Sequence, residues 1–225
     1  MPRRHELLRV TEDAWRAVRK GHPALDGLLG RAGDLVAGWA RNGWPVMARR
    51  PMPGDVPGAV PVGLPLPPEY GKLRLAFGLP KNPAPARVAP VLLQDARHVA
   101  PDAWRPTISS LLRLGELIGS PPRVFGALLW QHLTGLNYLH ARSDLDLLWE
   151  VPDSLTAEAL LPVIRRLEEM APMRLDGEVL LPGGAGVNWR ELLDAIELRG
   201  GDVLVKTMQG IEIRHTSSLF DGSLS

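Results

Sequence analysis

The chain has 225 residues, 45% hydrophobic and 23% charged, with a formal net charge of +1; this suits one large or two small globular domains and gives no whole-molecule field to attract nucleic acid or an anionic membrane. Gly (23) and Pro (22) make up one residue in five, which excludes a simple helical bundle, stays below low-complexity disorder and predicts short elements with many turns. Cysteine is absent, so disulfides, thiolate metal sites and a Cys nucleophile are excluded.

No apolar run approaches the roughly 18 residues of a membrane helix. Met1-Pro2-Arg3-Arg4-His5 leads into a segment without a signal-peptide core, so a cytoplasmic protein is expected. Residues 1–50 mix short pieces: Leu25, Leu28, Leu29, Val36 and Trp39 make short apolar faces, and Trp44 to Arg49 reads as a strand. Seven prolines follow between 51 and 68. Proline blocks helix interiors and central strands, so this stretch reads as either a solvated linker or an ordered loop crossing between two lobes, the second preferred because Val60, Val62, Leu64 and Leu66 alternate and suit an edge. Lys72 to Leu79 alternates as a half-buried strand does. The prolines at 80, 83, 85 and 90 end it and place a domain boundary near 80–90, giving domains 1–88 and 89–225.

The second half is more regular. Thr107 to Ile118 predicts a helix with Thr107 as N-cap and Gly119 as its stop. Arg123-Val124-Phe125 predicts a short buried strand and Gly126 to Leu133 a helix. Leu145 to Val151 predicts a strand, Thr156 to Met170 a helix despite Pro162, and Met173 to Leu181 and Val187 to Trp189 two strands. A helix at Arg190–Leu198 and a hairpin of Val203–Lys206 with Ile211–Arg214 complete the chain. Strands and helices interleave, which makes the class α+β or α/β-like.

The chemistry concentrates in Ser143-Asp144-Leu145-Asp146-Leu147-Leu148-Trp149. On a strand, residues i and i+2 share a face about 6.6 Å apart, so Asp144 and Asp146 stand side by side. Carboxylates that close repel one another in a low dielectric. A divalent cation relieves the repulsion, and Mg²⁺ (with Mn²⁺ as a substitute) takes oxygen ligands together with substrate phosphates. The alternative is a solvated strand edge or an Asp-rich loop. Upstream, Val124-Phe125-Gly126-Ala127 is a strand ending in a small-residue turn that opens a helix. Gly126 lets a phosphate approach backbone N–H groups, and the helix N-terminus adds partial positive charge.

This order of strand, Gly turn, helix and Asp-x-Asp strand resembles the nucleotidyltransferase superfamily, in which a third acid comes from a later strand. Asp176 and Glu178 both qualify; two apart on one face, they are not separated by spacing, and Asp176 is preferred. The resemblance narrows with Arg4-His5, Trp44-Pro45-Val46, Gly63 to Pro67, Val124 to Gly126, Trp130-Gln131, Leu133 to Gly135, Tyr138-Leu139, Ser143 to Trp149, Asp176 to Glu178, and Trp189 to Leu192. In this order they resemble the phosphoribosyl-dephospho-CoA transferase family of malonate decarboxylase, from the N-terminus to about residue 215.

The resemblance implies a nucleotidyltransferase fold with a mixed sheet in the C-terminal half and a smaller N-terminal α+β domain with a Pro-rich connection. It implies a Mg²⁺-dependent enzyme that takes the prosthetic group of 2′-(5″-triphosphoribosyl)-3′-dephospho-CoA to a serine of the apo acyl-carrier subunit of malonate decarboxylase, with release of diphosphate. Asp144 and Asp146 are then the metal ligands and, with Asp176, the catalytic acids. Gly126, Ala127, Arg142, Ser143 and Lys206 are the expected substrate contacts. Neither nucleic acid nor membrane is an expected partner. Ala127 departs from the superfamily, which usually has a serine after the glycine; the N–H stays and one hydroxyl donor, worth about 0.5–1.5 kcal/mol, is lost. A transferase using an ordinary nucleoside triphosphate and a non-catalytic nucleotide-binding module are the competing readings. His132 and His140 are further phosphate candidates, Trp130 and Trp149 read as core, and Arg49-Arg50 is either a solvated strand end or a contact for an acidic carrier protein.

Overall fold

The computed structural model describes residues 2–221 apart from Pro23, Ala24, Asp26, Lys72 and Pro83; Lys72 and Pro83, counted above in a strand and in a proline group, lie outside the described residues. The chain is α+β and divides into two compact units, Met1–Pro90 and Val91–Ser225. Among the described residues no helix is long and apolar enough to cross a membrane.

The first unit contains β1 (Leu7–Arg9), α1 (Glu12–Lys20), α2 (Gly30–Gly38), β2 (Val46–Ala48), β3 (Val60–Pro65), β4 (Arg74–Leu79) and β5 (Ala86–Val88). Its sheet runs β4-β3-β2-β1-β5 with every pair antiparallel. Helix α1 starts where Thr11 Oγ1 accepts the Ala14 N–H, with Glu12 and Asp13 in its first turn and Arg19 and Lys20 in its last, each matching the helix dipole. It buries Trp15, whose indole N–H donates to the Val36 carbonyl at 2.7 Å.

The proline-rich stretch departs from the loop expected of it. Val60, Val62, Leu64 and Leu66 are buried, and β3 is an interior strand paired with both β2 and β4 despite Pro61 and Pro65. Proline removes a donor but keeps its carbonyl, and the Pro61 carbonyl accepts the Arg49 N–H at 3.0 Å. Arg49 is an internal clamp rather than a solvated end: its guanidinium donates to the Val62 carbonyl and to the Asp55 carboxylate, closing the loop ahead of β3. Arg49 holds the Asp55 carboxyl below its ordinary range.

The second unit contains α3 (Leu93–Ala96), α4 (Arg105–Ile118), β6 (Arg123–Val124), α5 (Gly126–Thr134), β7 (Leu145–Glu150), α6 (Ser154–Glu169), β8 (Leu175–Leu180), β9 (Gly186–Asn188), α7 (Trp189–Glu197), β10 (Asp202–Lys206) and β11 (Ile211–His215). Helix α4 begins two residues before the expected cap: Pro106 is in its first turn, and Thr107 lies inside the helix, buried. Helix α6 starts at Ser154 because Asp153 caps it, accepting the Thr156 N–H at 2.7 Å.

The sheet order is β11-β10-β9-β8-β7-β6, and it is mixed: β7 and β8 are parallel, while all other pairs are antiparallel. A parallel pair needs a crossover, and α6 supplies it. The register aligns Trp149, Val179, Val187 and Val205 across four strands. All four are at most 1% exposed, and burying each such side chain contributes about 1.5–3 kcal/mol. Strand alternation sends the intervening residues Asp146, Asp176, Glu178 and Lys206 to the opposite face.

Candidate active site

The site begins where β6 ends. After the β6–β7 pairing of Arg123 with Leu148 and Val124 with Leu147, the Phe125 N–H donates to the Asp146 carbonyl at 3.1 Å. The chain then turns into α5 through Gly126 at φ +63°. Phe125, extended, is the N-cap and offers no side-chain bond, so the first-turn N–H groups have no partner from a capping side chain. The Asp146 carboxylate lies against this turn: a Cβ on Gly126 would stand 1.8 Å from Asp146 Oδ2. Only glycine serves both the left-handed backbone and that space. Ala127 follows in the same first turn, half-buried.

The two candidates for a third acid are placed by register. β7 and β8 align Asp146 with Asp176 and Leu148 with Glu178. Paired strands run about 4.8 Å apart, so Asp146 and Asp176 are neighbours on one face. The Gly177 N–H donates to Asp176 Oδ1 at 2.9 Å, and Arg190 Nη1 lies 3.5 Å from the same oxygen. Glu178 is different: its side chain is 7% exposed and receives Lys206 Nζ at 2.9 Å. A buried carboxylate needs such a counter-charge, and Lys206, expected at the substrate, is held by it.

The strand itself opens at Leu145, whose N–H donates to the Arg174 carbonyl. Asp144 therefore precedes β7, and the expectation that Asp144 and Asp146 share one strand face is corrected: only Asp146 lies on the strand. Ser143 is buried and its Oγ accepts the His140 N–H at 2.9 Å, closing the approach turn. Arg142 is exposed in that turn, with its own N–H donated to His140 Nδ1. The structure thus brings Gly126, Ala127, Asp146 and Asp176 together, keeps Asp144, Ser143 and Arg142 in the segment that leads into β7, and pairs Lys206 with Glu178.

A divalent cation fits this donor set in its chemistry: hard carboxylate oxygens, with the Asp146 carboxylate in a cradle that a Cβ would fill. Among the described residues no three His, Asp or Glu groups converge into a metal cluster. Mg²⁺ binds through one or two carboxylates and completes its shell with substrate phosphates and water.

Trp130 and Trp149 are 3% and 1% exposed, so both belong to the core. Thr134 Oγ1 donates to the Trp130 carbonyl and ends α5 ahead of Gly135. His132 packs edge-on against His98 with ring centroids 5.3 Å apart, and its buried Nδ1 has no hydrogen-bond partner among the described residues. Burial first, then the neighbouring His98, lowers its pKa below 6.5, while Asp95 opposes them. The folded chain therefore binds fewer protons there than the unfolded one, so stability falls as pH drops below about 6.5. Thermal melts from pH 7.5 to 5.5 should show a smaller loss for His132→Gln than for the native chain; equal slopes contradict this.

Sequence reasoning did not single out Arg190, although it lies within the Trp189 to Leu192 motif. The available signal was Asn188: its Oδ1 accepts the Arg190 N–H and starts α7, which brings Arg190 back to the mouth of β8.

The chain matches two family models end to end. Residues 3–90 match the phosphoribosyl-dephospho-CoA transferase MdcG N-terminal domain, and residues 91–217 the phosphoribosyl-dephospho-CoA transferase MdcG C-terminal domain. It is 37% identical over 224 residues to a phosphoribosyl-dephospho-CoA transferase of Bradyrhizobium diazoefficiens, covering 99% of this chain and 94% of that one. It is 37% identical over 221 residues to the same-named protein of Xanthomonas euvesicatoria, covering 98% and 97%. No solved structure matches.

Proposed function

The chain belongs to the phosphoribosyl-dephospho-CoA transferase family, and from that premise we propose that its acceptor is a serine of the apo acyl-carrier subunit of malonate decarboxylase. The donor is 2′-(5″-triphosphoribosyl)-3′-dephospho-CoA. The serine Oγ forms a bond to the α-phosphorus, the bond from that phosphorus to the bridging oxygen breaks, the hydroxyl proton is lost and diphosphate leaves. Phosphoryl-group chemistry of this kind depends mostly on positioning and on neutralising charge.

The observation that carries this reading is the Asp146 carboxylate seated against Gly126 at the uncapped start of α5. It puts an acid beside the first turn of a helix whose N-cap side chain makes no bond to it, the kind of place at which a metal-bound polyphosphate can be held. Asp144 and Asp146 would hold Mg²⁺, which when bound neutralises charge on the triphosphate. The N–H groups of Gly126 and Ala127 bind phosphate oxygens, so the backbone does what a serine hydroxyl does elsewhere in the superfamily. Asp176, beside Asp146, accepts the proton of the attacking hydroxyl. Arg142, exposed in the approach turn, meets the departing end of the triphosphate, and Ser143 holds that turn beside it. With no cysteine in the chain, a reducing compartment suits it, and we place the reaction in the cytoplasm.

The test mixes the protein with Mg²⁺, the triphosphoribosyl donor and apo carrier subunit. The carrier's intact mass should rise by the prosthetic group, with one diphosphate released for each group attached. An unchanged carrier mass, or transfer of a nucleotide from ATP or CTP in its place, overturns the proposal.

A further inference from the structure

We infer that Arg190 is a positioning residue for Asp176, acting with Glu168 and Trp189 to hold the head of β8. The inference rests on the reading of Asp176 as part of the transfer site. Leu175, the residue before Asp176, opens β8 and is gripped at both main-chain groups. Its N–H donates to Glu168 Oε1 at 2.9 Å. Its carbonyl accepts from the Trp189 indole N–H at 3.0 Å and from Arg190 Nη2 at 2.7 Å. Two helices, α6 and α7, thus supply three side chains to one residue, at a strand end that would otherwise open easily.

The guanidinium is itself fixed. Its Nη2 also donates to the Glu168 carboxylate, and its carbon lies 4.4 Å from the Trp189 ring centroid. Its Nη1, 3.5 Å from Asp176 Oδ1, is too far for a strong hydrogen bond and near enough for charge attraction. Asp176 Oδ1 is thereby turned toward Arg190 and the Gly177 N–H. Among the described residues Oδ2 receives no bond, which leaves it as the oxygen for a ligand. A planar fork can meet Glu168, the Leu175 carbonyl and Asp176 at once while stacking on an indole; the single ammonium of lysine cannot. The Arg190 and Glu168 side chains are 26% and 23% exposed. Partly exposed ion pairs add little to stability, so the arrangement acts mainly on geometry.

The experiment compares the full chain with Arg190→Met and Arg190→Lys by steady-state transfer kinetics, thermal melting and crystal structure. Expected in both variants is a fall in kcat of about 10–100-fold with little change in the donor KM, and a melting shift below about 4 °C. In an Asp176→Asn background Arg190→Met should cost nothing further, because both changes act through one carboxylate. The crystal structure of either variant should show the Asp176 carboxylate turned from its place beside Asp146; Arg190→Lys keeps the stem and charge and serves if Arg190→Met does not fold. Native kcat, additive losses in the double variant, or an unmoved Asp176 would each overturn the assignment. If the native chain transfers nothing, the functional reading fails, and the position of Asp176 in the variant structure alone decides the positioning role.

Discussion

Asp146→Asn lowers transfer to the carrier subunit by about 10³-fold or more, with the melting temperature close to native. The change keeps size and hydrogen-bonding shape while removing the negative charge that, in the proposed reaction, holds a cation on the triphosphate. Removing charge from a phosphoryl-transfer site acts on the transition state, where charge on the leaving diphosphate grows, so kcat should fall more than KM rises. Folding should be little affected, because the strand is held by its backbone pairing with β6 and β8 and by the apolar row on the other face. Asp144→Asn should follow the same pattern. Single-turnover assays by carrier mass, with melting curves alongside, make the comparison; near-normal turnover in either variant removes these carboxylates from the site.

Gly126→Ala separates two roles of one glycine. The residue sits at φ +63°, and a Cβ would stand 1.8 Å from Asp146 Oδ2, 2.6 Å from its Cγ and 3.1 Å from its Cβ. Backbone strain should cost about 1–2 kcal/mol of stability. The displaced carboxylate should lose transfer by about 10²-fold, since a shift of about 1 Å in a reacting group has that effect. Gly135→Ala is the control. It closes the same helix at φ +71° with nothing within 4 Å of a new Cβ, so it shares the strain without touching an acid. Gly135→Ala should melt lower and keep its turnover, and equal activity losses in the two variants would show that Gly126 has no special relation to Asp146.

Much of the C-terminal unit was legible because its signals are local. The strand at Arg123, the glycine that opens α5, the helix up to Thr134 and the alternating run from Leu145 lie within a residue or two of expectation, since period, caps and breakers act over short stretches. The proline-rich stretch was misread for an equally definite reason. Proline's cost in a sheet depends on which group a neighbour uses, and at Pro61 the neighbour takes the carbonyl. Thr107 looked like a cap because it precedes an apolar face, yet Pro106 in the first turn lets the helix begin earlier, at Arg105.

The site divides along the same line. The sequence by itself determined the order of strand, glycine turn, helix and aspartate strand, while the structure decided that Asp146 rather than Asp144 meets the start of α5. The sequence left Asp176 and Glu178 equivalent, because residues two apart on a strand share a face. Only the tertiary structure separated them. The parallel register of β7 with β8, set across the α6 crossover, puts Asp176 beside Asp146, while Lys206, from a strand some 30 residues later, neutralises Glu178. Register is a long-range property, decided by which side chains the whole sheet buries. Arg190 illustrates the same limit: its partners Glu168 and Asp176 lie 22 and 14 residues away, and only the packing of two helices against one strand end brings them to a single guanidinium.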